Sequence, residues 1–199
     1  MRRTSGSEAR AGETDRPKGR HRAPARPYGA SLLPVVRRTW APRGHTPVIR
    51  HRYKWKRASM AAALCYGSRG GGAALAFHHQ LDAYDTDTLI QALGELRRFL
   101  GGQKATLVWD GLPAHRSRAM RAWLRRQRSW LVVEPLPGYA PDLNPVEGLW
   151  SSLKGVELAN LAGDTLNDVI AAAERGIQRI RDTHHLAYSF LRHCGLMLW

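Results

Sequence analysis

Two stretches constrain this chain more than any others: LVWDGLPAHRS, ending at Ser117, and PLPGYAPDLNPVEGLWSSLK, ending at Lys154. ATLVWD is an apolar, β-prone run closed by Asp110 and followed by Gly111 and Pro113, which predicts a buried strand with the aspartate at its C-terminal lip. Ligands bind at that lip in open α/β sheets. Asn144 and Pro145 predict an N-cap and a first helical position, so Glu147 falls at the third position of a capping box. From there Val146, Leu149, Trp150, Leu153 and Val156 recur at spacings of three and four. One side of the helix should therefore pack on the sheet, with Glu147 at the edge of that face.

Asp110 and Glu147 are separated by 36 residues. Carboxylates on a strand end and a facing helix start could ligate Mg²⁺, or Mn²⁺ in its place, and leave coordination sites for a phosphate, which suits phosphodiester chemistry. The same residues have plain structural uses. A capping-box glutamate is usually only a cap, and a strand-end aspartate often only forms a turn.

The order Asp110, His115-Arg116-Ser117, Pro-Gly-Tyr-Ala-Pro-Asp-Leu-Asn-Pro-Val-Glu ending at Glu147, then Trp150, resembles the DDE-superfamily transposases of bacterial insertion sequences, in the branch related to mariner elements. The likeness runs from about Ser31 to near Gly195 and takes in RRTWAPRGHTP. It implies an α/β, ribonuclease-H-like fold, a mixed sheet flanked by helices with hairpin strands beside a central first strand. It also implies that Asp110 and Glu147 are the second and third catalytic acids and metal ligands. The implied activity is DNA transposition, by metal-dependent nicking at element ends followed by strand transfer. A related metal-dependent nuclease and a non-catalytic DNA-binding remnant are the alternatives, because fold alone does not fix a reaction.

The chain's 31 Lys and Arg against 16 Asp and Glu give a net charge of +15, which favours a polyanionic partner and salt-sensitive binding. DNA, as transposon ends and target, is the expected partner, with a homodimer as the expected assembly. No apolar run reaches the roughly 18 residues of a spanning helix, and no charged-then-apolar signal segment opens the chain. No membrane partner is expected, and the predicted location is the bacterial cytoplasm, in association with the nucleoid. Cys65 and Cys194 lack zinc-site spacing and are expected to be buried thiols.

Residues 1–30 hold eight Lys or Arg among Gly and Pro and predict a basic, disordered or out-of-frame tail, with 31–199 as the catalytic domain. Prolines 34, 42 and 47 then predict an extended basic connection. Its Arg37, Arg38, Arg52, Lys54 and Lys56 are candidate DNA contacts, and its Trp40, Tyr53 and Trp55 either stack on bases or anchor the segment to the core. Residues 58–66 and 73–80 read as a hairpin whose adjacent His78 and His79 face opposite sides and so do not share a metal. A helix is predicted over 86–100, capped by Asp85 or Asp87, and another over 114–127 that buries Met120, Trp123 and Leu124. The outer face of the second offers Arg116, Arg118, Arg121 and Arg125 to DNA. His115 lies close enough to Asp110 to touch a phosphate, although a local hydrogen bond is the commoner use of such a residue. A strand from Leu131 and a last helix over 165–181, with Arg175, Arg179 and Arg181 outside, complete the plan.

One ligand is missing. The resemblance places the first catalytic Asp at the end of the central strand, and alignment on Gly29 puts Arg26 there. The residues before it, RPKGRHRAPA, contain no β-prone apolar run. The sequence therefore predicts a central strand lost or degraded, an N-terminally incomplete domain, weak Mg²⁺ binding, and a truncated or frameshifted enzyme that does not cleave. Two consequences are expected: DNA binding without cutting, and poor folding through exposed strand edges.

Overall fold

The computed structural model describes residues 21–31, 33–50, 57–68, 72–137 and 140–196; the side chains of 21–27 and 141 lie outside the description. Five strands form one sheet, β1 (His21–Ser31), β2 (Arg57–Gly67), β3 (Ala73–Leu81), β4 (Ala105–Trp109) and β5 (Leu131–Pro135), in the order β3-β2-β1-β4-β5. Antiparallel pairing joins β3, β2 and β1, whereas β1, β4 and β5 run parallel. The helices are α1 (Thr86–Phe99), α2 (Arg118–Arg126), α3 (Pro145–Gly155), α4 (Leu166–Asp182) and α5 (His184–His193).

Strand alternation divides the core into two layers. On one face Met60, Leu64, Tyr66 and Ala30 pack with Val146, Leu149, Trp150 and Leu153 of α3 and with Val169, Ala173, Ile177 and Ile180 of α4. On the other, Cys65, Leu107 and Trp109 pack with Leu89, Leu93 and Leu96 of α1 and Met120 of α2. This is the expected mixed sheet flanked by helices. Asp85 forms the predicted N-cap of α1, accepting from Thr88 N while Thr88 returns a bond to the cap backbone. Thr165 and Asp168 do the same for α4.

The largest correction concerns the central strand, which is present. β1 lies between β2 and β4, in register with both, and ends two residues after Gly29. The sequence concealed it because HRAPARPYGAS carries two prolines and three basic or His residues in place of a β-prone run. Such a strand is held by its neighbours' ladders rather than by its own propensity. The pairing with β2 passes from Arg22↔Tyr66 to Ala25↔Ala63 without the intervening pairs, where Pro24 brings no N–H. With this strand in place the inner edges of β2 and β4 are paired, and the ground for expecting poor folding falls away. Of the residues assigned to a tail, 1–20 lie outside the described residues, while 21–30 belong to β1.

Smaller differences follow local chemistry. The helix expected from Ala114 splits into a 3-10 turn, Pro113–Arg116, and α2, because Ser117 caps the latter by accepting from Met120 N. Val156 ends α3 and is exposed rather than part of its buried stripe. Arg179 and Arg181 are drawn inward: Arg179 Nε pairs with Glu157 Oε1 at 2.6 Å, and Arg181 Nε donates to Leu75 O at 3.1 Å. Helix α5 was not foreseen; Tyr66 Oη donates to Ala187 O at 2.7 Å and ties it to the sheet. Cys65 is buried, and Cys194 is only half-buried. No helix among the described residues is long and apolar enough to cross a membrane.

Candidate active site

Three registers bring the lip together. Parallel pairing of β1 with β4 ends at Ala25↔Trp109, so the next step sets position 26 beside Asp110. Trp109 belongs to the α1–α2 layer, as does Ala63, the partner of Ala25 on β2. Alternation then puts positions 26 and 110 on the opposite face, the one carrying Tyr28 and α3. Helix α3 runs along β1 in the same direction: Trp150 stacks on Tyr28 with ring centroids 5.2 Å apart, and Ala159, beyond the helix, bridges Val35 beyond the strand. Glu147 precedes Trp150 by three residues, about 4.5 Å of helix rise, and position 26 precedes Tyr28 by two, about 6.6 Å of strand. Backbone position 26 and Asp110 therefore adjoin at the lip, and Glu147 lies in the first turn of α3, the helix that packs over β1 through Trp150 and Tyr28.

Asp110 directly follows the last residue of β4, and its side chain is 23% exposed. His115 is buried against it. The imidazole stacks on Trp109 at 3.9 Å with planes 2° apart, while Nδ1 lies 2.7 Å from Asp110 O and 3.1 Å from Asp110 Oδ1. Nδ1–H donates to the Asp110 carbonyl, the local hydrogen bond the sequence left open, and holds the ring beside the carboxylate. The signal was the four-residue interval after Asp110, which a 3-10 turn closes into contact. Gly111 permits a further approach: a Cβ there would sit 2.0 Å from Arg116 Nη2, so the guanidinium lies over the backbone next to Asp110.

Glu147 sits in the first turn of α3, but the predicted capping box does not form. Asn144, 2% exposed, caps by accepting from Val146 N at 3.3 Å, and Glu147 N bonds Asn144 O at 2.9 Å. Pro145 at the first helical position tightens this start, and the cap bond goes to the second helical amide rather than the third. The helix therefore starts without enlisting the Glu147 carboxylate as its cap partner.

Arg37 and Arg38 are exposed, whereas Arg52, Lys54, Lys56, Tyr53 and Trp55 lie outside the described residues. Arg118, Arg121 and Arg125 are exposed along α2, and Arg116 is exposed at the lip. The DNA candidates that are described therefore form two surfaces, one beside Asp110 and one on the connection after β1. His78 and His79 diverge as expected, toward Glu95 at 3.8 Å and Glu174 at 3.2 Å. Among the described residues no three His, Cys, Asp or Glu converge as a metal site.

The sequence model of the family described as DDE superfamily endonuclease matches residues 28–167. Among solved structures, the Mos1 mariner paired-end complex with Mn is 18% identical, with a TM-score of 0.53 over 87% of this chain and 54% of that one. The Mos1 strand transfer complex is 17% identical, with a TM-score of 0.52 over 88% and 53%. A simian T-cell lymphotropic virus intasome in complex with the PP2A regulatory subunit B56 gamma is 12% identical, with a TM-score of 0.52 over 83% and 49%. The chain spans about half the length of each of these chains. At such identities the likeness is one of fold, the ribonuclease-H-like fold of transposase catalytic domains. No curated protein matches.

Proposed function

Because the chain belongs to the DDE superfamily endonuclease family, we propose that it is a transposase catalytic domain that binds DNA and no longer cuts it. The observation that carries this reading is the register at the lip: the β1–β4 ladder ends at Ala25↔Trp109, so the next residue of the central strand, beside Asp110, is an arginine, Arg26. Asp110 and Glu147 are suited by charge and oxygen donors to divalent metal, the chemistry named for a Mos1 structure of the same fold. Arginine carries a fixed positive charge and no acceptor, so it cannot take the place of a carboxylate ligand. The residues present therefore do not fit a divalent cation, and no cleavage step is assigned to them.

Binding requires less. A net charge of +15, with Arg116, Arg118, Arg121 and Arg125 exposed from the lip along α2, supports contact with phosphates independent of sequence. Duplex DNA is the proposed partner, in keeping with the left transposon end named in a Mos1 paired-end complex. The same reading makes the chain part of a bacterial insertion sequence, acting on nucleoid DNA in the cytoplasm as a homodimer, and able to compete with an intact copy for DNA.

The test pairs metal with DNA. Mn²⁺ titration followed by electron paramagnetic resonance should show Arg26→Asp binding Mn²⁺ tighter than the unsubstituted protein by on the order of tenfold or more. Gel shifts of the unsubstituted protein on duplex should weaken steeply as salt rises from about 50 to about 200 mM. Metal-dependent nicking of supercoiled plasmid by the unsubstituted protein would sink the proposal.

A further inference from the structure

Between β1 and β2 the chain leaves the body of the domain. Its root is fixed: Val35 bridges Ala159, Asn160 N donates to Val35 O at 2.9 Å, and Arg37 N donates to Asn160 Oδ1 at 2.8 Å. Beyond that clasp, residues 36–48 are all exposed, and the only backbone hydrogen bond within this stretch of the described residues is a turn in which His45 N donates to Pro42 O at 3.0 Å, with Gly44 at φ +84°. Trp40 lies in this arm with its side chain fully exposed, at 100%. It does not anchor the segment to the core.

A tryptophan held clear of the protein leaves a large apolar ring in water, in an arm that also exposes Val36 and Val48, a surface open to a partner. The neighbours restrict what that is. Between residues 33 and 50 the sequence carries Arg37, Arg38, Arg43 and Arg50 and no Asp or Glu, so the arm favours a polyanion. A flat ring among arginines is the combination that binds single-stranded nucleic acid, the ring taking a base face and the arginines the phosphates. Duplex DNA hides its base faces by stacking and offers this ring little.

We infer that Trp40 is a stacking platform for an unpaired DNA base, with Arg37, Arg38 and Arg43 holding the flanking phosphates. The inference rests on the DNA-binding reading above and names a substrate feature, unpaired bases, that the lip and α2 do not select. Arm and lip divide the work: α2 holds the duplex backbone, and the arm holds strands that have come apart.

The test compares two fluorescein-labelled probes by anisotropy at one salt concentration, an oligothymidylate of about 20 nucleotides and a blunt duplex of the same length. Trp40→Ala should weaken oligothymidylate binding roughly 5- to 140-fold, the range for one lost base stack. Trp40→Phe should recover part of that loss, and duplex affinity should change by less than about twofold. An Arg37→Ala, Arg38→Ala double variant should instead weaken both probes and reduce the salt slope by about one per arginine. Trp40 buries nothing, so its thermal melt should match the parent, which removes misfolding as an explanation.

Equal losses on both probes, or no loss on oligothymidylate, would overturn the assignment while leaving duplex binding intact. Trp40-dependent binding to phosphatidylserine vesicles with unchanged DNA affinity would overturn it in favour of a lipid surface. An unsubstituted protein that binds neither probe would overturn the DNA-binding reading itself, and this inference with it.

Discussion

β1 and β4 lie side by side at the centre of the sheet, parallel and in register, yet they are opposite kinds of sequence. β4, ATLVW, is apolar with strict burial alternation and announces itself. β1, HRAPARPYGAS, has two prolines and no apolar run, and it is held between two ladders and against α3 through Tyr28 and Trp150. At the lip the contrast is reversed in importance, because β4 delivers Asp110 and β1 delivers Arg26 to adjoining positions. A strand's place can be held by its neighbours' ladders, whereas metal ligation depends on the side chain at one position.

If one residue makes that chemical difference, Arg26→Asp should erase it, and the gain in Mn²⁺ binding proposed above should vanish again in an Arg26→Asp, Asp110→Asn double variant. A gain that survives Asp110→Asn would place the metal elsewhere and break the comparison. The structural half is tested by core truncation. Trp150 is 1% exposed, and Trp150→Ala should cost roughly 3–5 kcal/mol in urea unfolding. Hydrogen exchange should then quicken in β1 before β4. Leu107→Ala, in β4 itself, should cost roughly 2–5 kcal/mol and quicken both together. Unchanged β1 protection in Trp150→Ala would mean that α3 does not hold the strand.

These contrasts also explain what was legible. The places of Asp110 and Glu147 in the fold could be read because each sits at a junction with its own local grammar, an apolar strand followed by Gly-Pro punctuation and an Asn-Pro helix start. The α1 and α4 stripes and the β2–β3 hairpin were legible for the same reason, periodicity closed by caps or turns. β1 was not, since its stability comes from residues distant in sequence such as Ala61, Ala105 and Trp150. Nor was α5, whose N-cap Thr183 makes no side-chain cap bond and whose tie to the sheet runs through Tyr66. The role of His115 depended on a stacking partner, Trp109, that no spacing rule reveals.

Glu147's helix start offers a smaller test. Asn144 is buried and its carboxamide oxygen accepts from Val146 N, so Asn144→Ala should cost about 1–2 kcal/mol. Asn144→Asp, which keeps an acceptor, should cost less. Equal losses in both would show that the cap bond is not what holds the start of α3.

The smallest expected effect lies away from both central strands, at the edge strand β3. Burial pushes the His78 imidazole below its ordinary value of 6.5, outweighing the attraction of Glu95, and His79 pushes the same way as burial. The unfolded chain then binds the proton more readily than the folded one, so stability is complete above about pH 6.5 and declines as pH falls toward the lowered folded value. Melting temperature should therefore drop on acidification through that window. In His78→Phe, where the ring faces the apolar space lined by Ala61, Phe77 and Leu89, the drop should shrink. A variant that loses as much melting temperature as its parent would assign the acid sensitivity to another group and leave β3 without a part in it.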